Sequence, residues 1–212
     1  GRWSEMEQAF QNHPLMIQWI ILIKNQLISK LVVLPRRKDF FSEILNSMNK
    51  EYHFTYREYE SEEDLHDEDR ELLIKAREAT AYAYAPYSKF YVGAAGRLIS
   101  GKIITGVNQE NASFPAGNCA ERSLLNVASS LYPGEAIEVI AISYSVDSGI
   151  TSTPVSPCGI CRQALLEFEL RTGRPIRLIL SGMEGPVMVI DRSSDLLPMG
   201  FNGSQLKNPD SF

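Results

Sequence analysis

Cys119, Cys158 and Cys161 are the three cysteines of this chain, and each has chemically pointed neighbours. Cys119 opens Cys119-Ala120-Glu121, and the other two frame Pro157-Cys158-Gly159-Ile160-Cys161. A Cys-x-x-Cys at the start of a helix lets two thiolates converge on one ion while the helix N-terminal amides stabilise their charge. A third ligand from a second element leaves the fourth tetrahedral position open to water, as a catalytic zinc site requires. Glu121, two residues past Cys119, is then close enough to take and return protons without ligating the metal.

Taken alone, the Cys-x-x-Cys is also readable as a redox pair or as half of a structural zinc knuckle. A structural site normally needs four protein ligands. His13, His53 and His66 are the only histidines, and all lie upstream with no ligand spacing to the cysteines. The combined order, a ligand-x-Glu element followed by Pro-Cys-x-x-Cys, is the signature of zinc deaminases, here in its all-cysteine form. The expected cofactor is Zn2+ on Cys119, Cys158 and Cys161, with Glu121 as the catalytic proton carrier.

These ligands must be carried by elements that bring two loops together. Cys119 to Leu131 reads as a helix ended by Pro133-Gly134, and Gly159 to Arg171 as another stopped near Gly173. Phe90 to Leu98 and Lys102 to Val107 read as strands around a Ser100-Gly101 hairpin loop. Val139 to Ser145, Ile176 to Leu180 and Val187 to Ile190 add three more strands. A further helix through Leu72, Leu73, Ala76 and Ala79 follows an acidic cap-like turn at Ser61-Glu62-Glu63-Asp64, and Tyr52 to Tyr59 offers an additional edge strand. The expected class is α/β: a three-layer α/β/α sandwich on a roughly five-stranded mixed sheet, with the site at helix N-termini.

Residues 1–50 differ in character and read as an N-terminal helical extension without a catalytic motif, leaving 51–212 as the catalytic domain. Trp19, Ile20, Ile23, Leu27, Leu31 and Leu34 supply an apolar helical face that ends before Pro35, and 39–48 reads as a second short helix. The apolar run from Leu15 to Leu34 is interrupted by Lys24, Asn25, Gln26, Ser29 and Lys30, and Pro35-Arg36-Arg37-Lys38 follows it. Neither a membrane span nor a signal peptide is expected there. The formal charge of -5 argues against a phosphate-backbone binder, so no nucleic-acid partner is expected. With every cysteine inside one motif, a disulfide framework has no members, and a cytoplasmic location is the default.

Four segments together resemble the homotetrameric, three-cysteine type of cytidine deaminase: Ala85-Pro86-Tyr87-Ser88-Lys89-Phe90-Tyr91-Val92-Gly93-Ala94-Ala95, Asn108-Gln109-Glu110-Asn111-Ala112, Cys119-Ala120-Glu121-Arg122, and Ser156-Pro157-Cys158-Gly159-Ile160-Cys161-Arg162-Gln163. The resemblance covers roughly 66–206. It implies a homotetramer that hydrolyses cytidine and 2'-deoxycytidine to the corresponding uridines with release of ammonia, in pyrimidine salvage. It further implies that Glu121 carries a proton from water to N3 and then to the departing amino group. The Ala120 amide would meet the pyrimidine O2, and the Ser156 carbonyl the amino group. Phe90 would pack on the base, and Asn108 and Glu110 would hold the ribose hydroxyls. Three thiolates on Zn2+ leave a net negative charge, which a guanidinium such as Arg122 would offset by donating to sulfur. Arg162 either shares that role or makes a surface ion pair.

Phe114 departs from the tyrosine of many relatives, and Phe114-Pro115-Ala116-Gly117 rewrites the loop before the first ligand. Two other readings stand beside the first: a deaminase of another aminopyrimidine nucleoside, of the blasticidin type, and a non-catalytic zinc-stabilised binding module. Asn108 and Glu110 favour a ribose. Glu121 speaks against the binding module, because a structural site has no use for a non-ligand carboxylate.

Overall fold

The computed structural model describes residues 50–206. The apolar face from Trp19 to Leu34 and the short helix expected over 39–48 lie outside the described residues.

Six strands form one mixed sheet: β1 (Tyr56–Tyr59), β2 (Phe90–Leu98), β3 (Ile103–Val107), β4 (Ile137–Val146), β5 (Arg177–Ser181) and β6 (Val187–Ile190). Their spatial order is β1-β6-β5-β4-β2-β3. β4 and β5 run parallel, and the other neighbours run antiparallel. The five strands expected from the sequence are all present, and the sixth is the edge strand read over Tyr52 to Tyr59, ordered from Tyr56.

Among the described residues three α-helices cover the sheet: α1 (Asp67–Ala79), α2 (Ala120–Leu131) and α3 (Gly159–Thr172). Side chains alternate across a strand, so each central strand feeds two cores. Ala95, Val139, Ala141 and Ile179 pack with Leu72, Leu73 and Ala76 of α1 on one face. Ala94, Ile140, Ile142, Leu178 and Leu180 pack with Leu124 and Ala128 of α2 and Leu165 and Phe168 of α3 on the other. Because both faces of β4 and β5 are covered, these strands read as near-continuous apolar runs.

Two glycines set how closely the layers approach. A Cβ at Gly93 would lie 2.1 Å from the Ala76 carbonyl oxygen of α1, and one at Gly106 would lie 2.4 Å from the Leu124 amide of α2. The first turn of α2 therefore rests directly on the backbone of β3.

The element ends follow from local chemistry. Before α1, the Glu63 amide donates to Ser61 Oγ and the Ser61 amide to Asp64 Oδ2, which closes the expected acidic turn. Gly101 at φ 84° makes the β2–β3 hairpin, and Gly173 at φ 68° ends α3. At the base of α1, Arg177 donates to the buried Asp69 at 2.7 Å and ties the helix to β5.

Candidate active site

Cys119 and Cys158 are the N-cap residues of α2 and α3, both with extended backbone, and Cys161 lies buried in the first turn of α3. Neither cap thiol makes a capping hydrogen bond to its own helix, so both can turn toward a shared centre. They converge: the Sγ atoms of Cys119 and Cys158 are 3.9 Å apart, those of Cys158 and Cys161 3.5 Å, and all three lie within 4.8 Å of one another. Zinc–sulfur bonds of about 2.3 Å place the sulfurs of a tetrahedral site about 3.8 Å apart, so this donor set fits Zn2+ in spacing and in softness.

The electrostatics are those of a crowded thiol cluster. A hydrogen bond from Cys161 pulls the Cys119 thiol down to about 6, assisted by Cys158 and the Arg122 charge and opposed by burial and Glu121. The same bond, together with burial, pushes Cys161 up. Glu121, in the first turn of α2 two residues past Cys119 and 6% exposed, has its carboxyl raised chiefly by burial. Its own backbone amide, the Cys161 thiol and the Arg122 charge oppose that rise.

A cavity of about 700 Å³ opens over the cluster. Phe90, Asn108, Glu110, Ala120, Glu121, Arg122 and Ser156 all line it with Cys119 and Cys158, while Cys161 sits beneath, buried. Residues 71 positions apart in sequence, from Phe90 to Cys161, thus meet at one end of the sheet.

The Asn108 side chain extends the ladder where β3 stops. Its Oδ1 accepts from the Val92 amide and its Nδ2 donates to the Phe90 carbonyl, both at 2.8 Å. One amide proton and part of the oxygen's accepting capacity remain for a ligand. Glu110 Oε2 accepts from the amides of Tyr87 and Ser88 at 2.9 and 3.2 Å. Hydrogen bonding from the Ser88 hydroxyl, then from these amides, holds its carboxyl below the ordinary range. Phe90 is stacked on Tyr144 of β4, with ring centroids 4.8 Å apart.

Arg122 differs from expectation in its partners. Its Nε donates to Asn118 Oδ1 at 2.8 Å and its NH2 group to the Gly117 carbonyl at 3.3 Å, so it acts on Cys119 through its charge. Arg162 does neither of the two things anticipated. It donates to the carbonyls of Pro157 and Leu196 and straps the second ligand loop to the short helical turn at Ser193–Leu196. Sequence reasoning passed over Tyr144, Asn118 and the apolar wall of Val92, Ile142 and Val155. Only alternation along β2 and β4 hinted at the wall. Phe114, flagged as a departure, is 75% exposed at the cavity rim with its ring edge-on to Tyr87.

Residues 66–173, just over half of the chain, match the family model described as the cytidine and deoxycytidylate deaminase zinc-binding region. Cytidine deaminase of Halalkalibacterium halodurans is 39% identical over 141 residues, which is 66% of this chain and 99% of that protein. Cytidine deaminase of Mycobacterium tuberculosis is 36% identical over 109 residues, 50% of this chain and 77% of that one. Among solved structures, cytidine deaminase from Burkholderia pseudomallei superposes with a TM-score of 0.54 at 39% identity, covering 62% of this chain and 97% of that one.

Proposed function

The chain belongs to the cytidine and deoxycytidylate deaminase family, and we propose that it hydrolyses cytidine and 2'-deoxycytidine to uridine and 2'-deoxyuridine, releasing ammonia. The observation that carries this reading is the buried carboxylate of Glu121 beside three convergent thiols in the cavity that Phe90, Asn108 and Glu110 also line.

Cys119, Cys158 and Cys161 would hold the zinc, which when bound supplies the Lewis acidity that makes water nucleophilic near neutral pH. The chain's own residues do the rest. Glu121 accepts a proton from the attacking water, delivers it to N3 of the pyrimidine, and then protonates the departing amino group. Burial favours its neutral form, so the proton is held rather than lost to solvent. The Ala120 amide, one of the first-turn N–H groups without an intrahelical acceptor, donates to O2. The Ser156 carbonyl accepts from the amino group. Phe90, itself backed by Tyr144, packs on the base. Asn108 and Glu110, both locked by backbone contacts, hold the sugar hydroxyls. Arg122 offsets the thiolate charge across space.

The catalytic unit is taken as 51–212 with 1–50 as an extension, and the assembly as a homotetramer. The exposed Tyr82, Tyr84, Tyr87 and Phe114 support burial against further copies. No helix among the described residues is long and apolar enough to cross a membrane, and the three thiols suit a reducing, cytoplasmic setting.

The deciding experiment incubates purified, zinc-loaded protein with cytidine, 2'-deoxycytidine, cytosine and other aminopyrimidine nucleosides, and follows uridine and ammonia. Production of uridine is expected, and its absence with zinc bound would overturn the reading.

A further inference from the structure

A cap residue usually anchors the first turn of its helix through its side chain, but the thiol of Cys119 bonds none of the α2 amides. The anchoring has passed to the residue before it. Asn118 Oδ1 accepts from Arg122 Nε at 2.8 Å, and Asn118 Nδ2 donates to Ser123 Oγ at 3.0 Å. These two bonds grip the third and fourth residues of α2 and span the turn that carries Ala120 and Glu121.

The main chain of Asn118 is held from the other side. Its amide donates to the Gln109 carbonyl at 2.9 Å, and its carbonyl accepts from the Gln109 amide at 2.8 Å. Gln109 lies between Asn108 and Glu110, and Tyr84 bonds that segment in turn: the Tyr84 amide donates to Asn108, and the Glu110 amide to Tyr84. Beside the close approach of β3 at Gly106, Asn118 is therefore the hydrogen-bonded link between the Asn108–Glu110 segment and the first turn of α2.

We propose that Asn118 is a positioning residue: acting through Arg122, it sets Cys119 and Glu121 at a fixed distance from the segment bearing Asn108 and Glu110. The proposal rests on the deaminase reading for its kinetic consequence. Its structural consequence does not depend on that reading. Loss of the side chain leaves both backbone bonds to Gln109 in place, so sugar binding persists while the turn carrying Glu121 loosens.

The test is a double-mutant cycle of Asn118→Ala and Arg122→Ala, with Asn118→Leu as a variant that keeps bulk but offers no acceptor. Zinc content, melting temperature, kcat and KM for cytidine, and the rate of zinc transfer to a chromogenic chelator are measured on each full-length, zinc-loaded protein. Asn118→Ala and Asn118→Leu are each expected to lower kcat about ten- to hundredfold, as small misplacements of reacting groups do, with KM for cytidine little changed. Both should also speed zinc transfer severalfold. In the Arg122→Ala background both changes should be much smaller, because only the bond to Ser123 is then left to lose. Full kcat in Asn118→Leu, additive effects in the double variant, or a rise in KM matching the fall in kcat overturns the proposal. If the wild type holds zinc but produces no uridine, the deaminase reading fails. The non-additivity of zinc transfer then still decides the role of Asn118.

Discussion

The rings of Phe90 and Tyr144 lie nearly parallel, 4.8 Å between centroids and inclined by 22°, across the β2–β4 ladder. Phe90 is directly opposite Val146, so the stack is a diagonal pair with the residue two positions back along β4. Tyr144 is 8% exposed and Phe90 only partly buried, so the tyrosine acts as a fixed backing for a ring that forms the cavity wall. Aromatic pairs of this kind contribute about 0.5–1.5 kcal/mol beyond burial, so Tyr144→Leu should raise KM for cytidine about two- to tenfold with kcat little changed. Steady-state kinetics check this. An unchanged KM would show that the Phe90 ring is held without its partner.

Glu121→Gln should remove nearly all turnover while zinc stays bound. The amide has the carboxylate's shape but carries no transferable proton, and general acid–base catalysis is worth about 10²- to 10⁴-fold. Because one group serves several transfers here, the loss should reach the upper end. Its effect on stability has the opposite sign. A buried carboxyl whose folded pKa is raised opposes folding increasingly as pH climbs from the unfolded value through the folded one. The variant should therefore melt at or above the wild-type temperature at neutral pH. A tenth of wild-type kcat remaining would take Glu121 out of the proton-carrying role.

Most of the site was legible in the sequence because its chemistry is local. Cys119, Glu121, Cys158 and Cys161 sit at spacings that helix N-termini impose, and both helices begin one residue after the ligand caps. The strands were legible from alternation, and Val187–Ile190 matches the expected range residue for residue. The strand order was not, since β1 beside β6 and β5 beside β4 are pairings between distant segments that no local pattern encodes. The partners of Arg122 were hidden for a related reason. The expectation considered only charge and sulfur, whereas the fold supplies the Asn118 side chain and the Gly117 carbonyl within reach. Tyr144 and Asn118 carry no signature of their own, and their places depend on ladder register and loop closure.

Removal of zinc should expose one thiol that differs sharply from its neighbour. With the Cys119 thiol lowered to about 6, half of it is thiolate at that pH in the metal-free protein, while Cys161 is held protonated by the same hydrogen bond and by burial. Alkylation by iodoacetamide, mapped by mass spectrometry across pH, should begin at Cys119 with a midpoint near that value, and Cys161 should lag. Zinc added back should protect both. Onset at Cys119 only near the ordinary thiol value of about 8.5 would show that the cluster does not polarise this residue.

The final prediction concerns why a nucleoside should be preferred to its free base or its nucleotide. Glu110 offers one oxygen already fixed by the Tyr87 and Ser88 amides, leaving the other to accept from a sugar hydroxyl, while Asn108 presents a locked amide beside it. Binding energy from this remote part orients the pyrimidine over Glu121 and the thiol cluster, which free cytosine forfeits. A 5'-phosphate would bring negative charge toward Glu110, so cytidine monophosphate should also be poor. kcat/KM should therefore rank cytidine and deoxycytidine well above cytosine and cytidine monophosphate, and Glu110→Ala should narrow the gap to cytosine by lowering the value for cytidine. The pH dependence follows from the depressed carboxyl: its charge persists below the ordinary carboxylate value of about 4.3 and is lost only as pH falls further. The KM advantage of wild type over Glu110→Gln should accordingly fade on acidification with a midpoint below that value. Equal kcat/KM for cytosine and cytidine in the wild type, or an advantage that fades well above it, would remove Glu110 from the sugar-holding role.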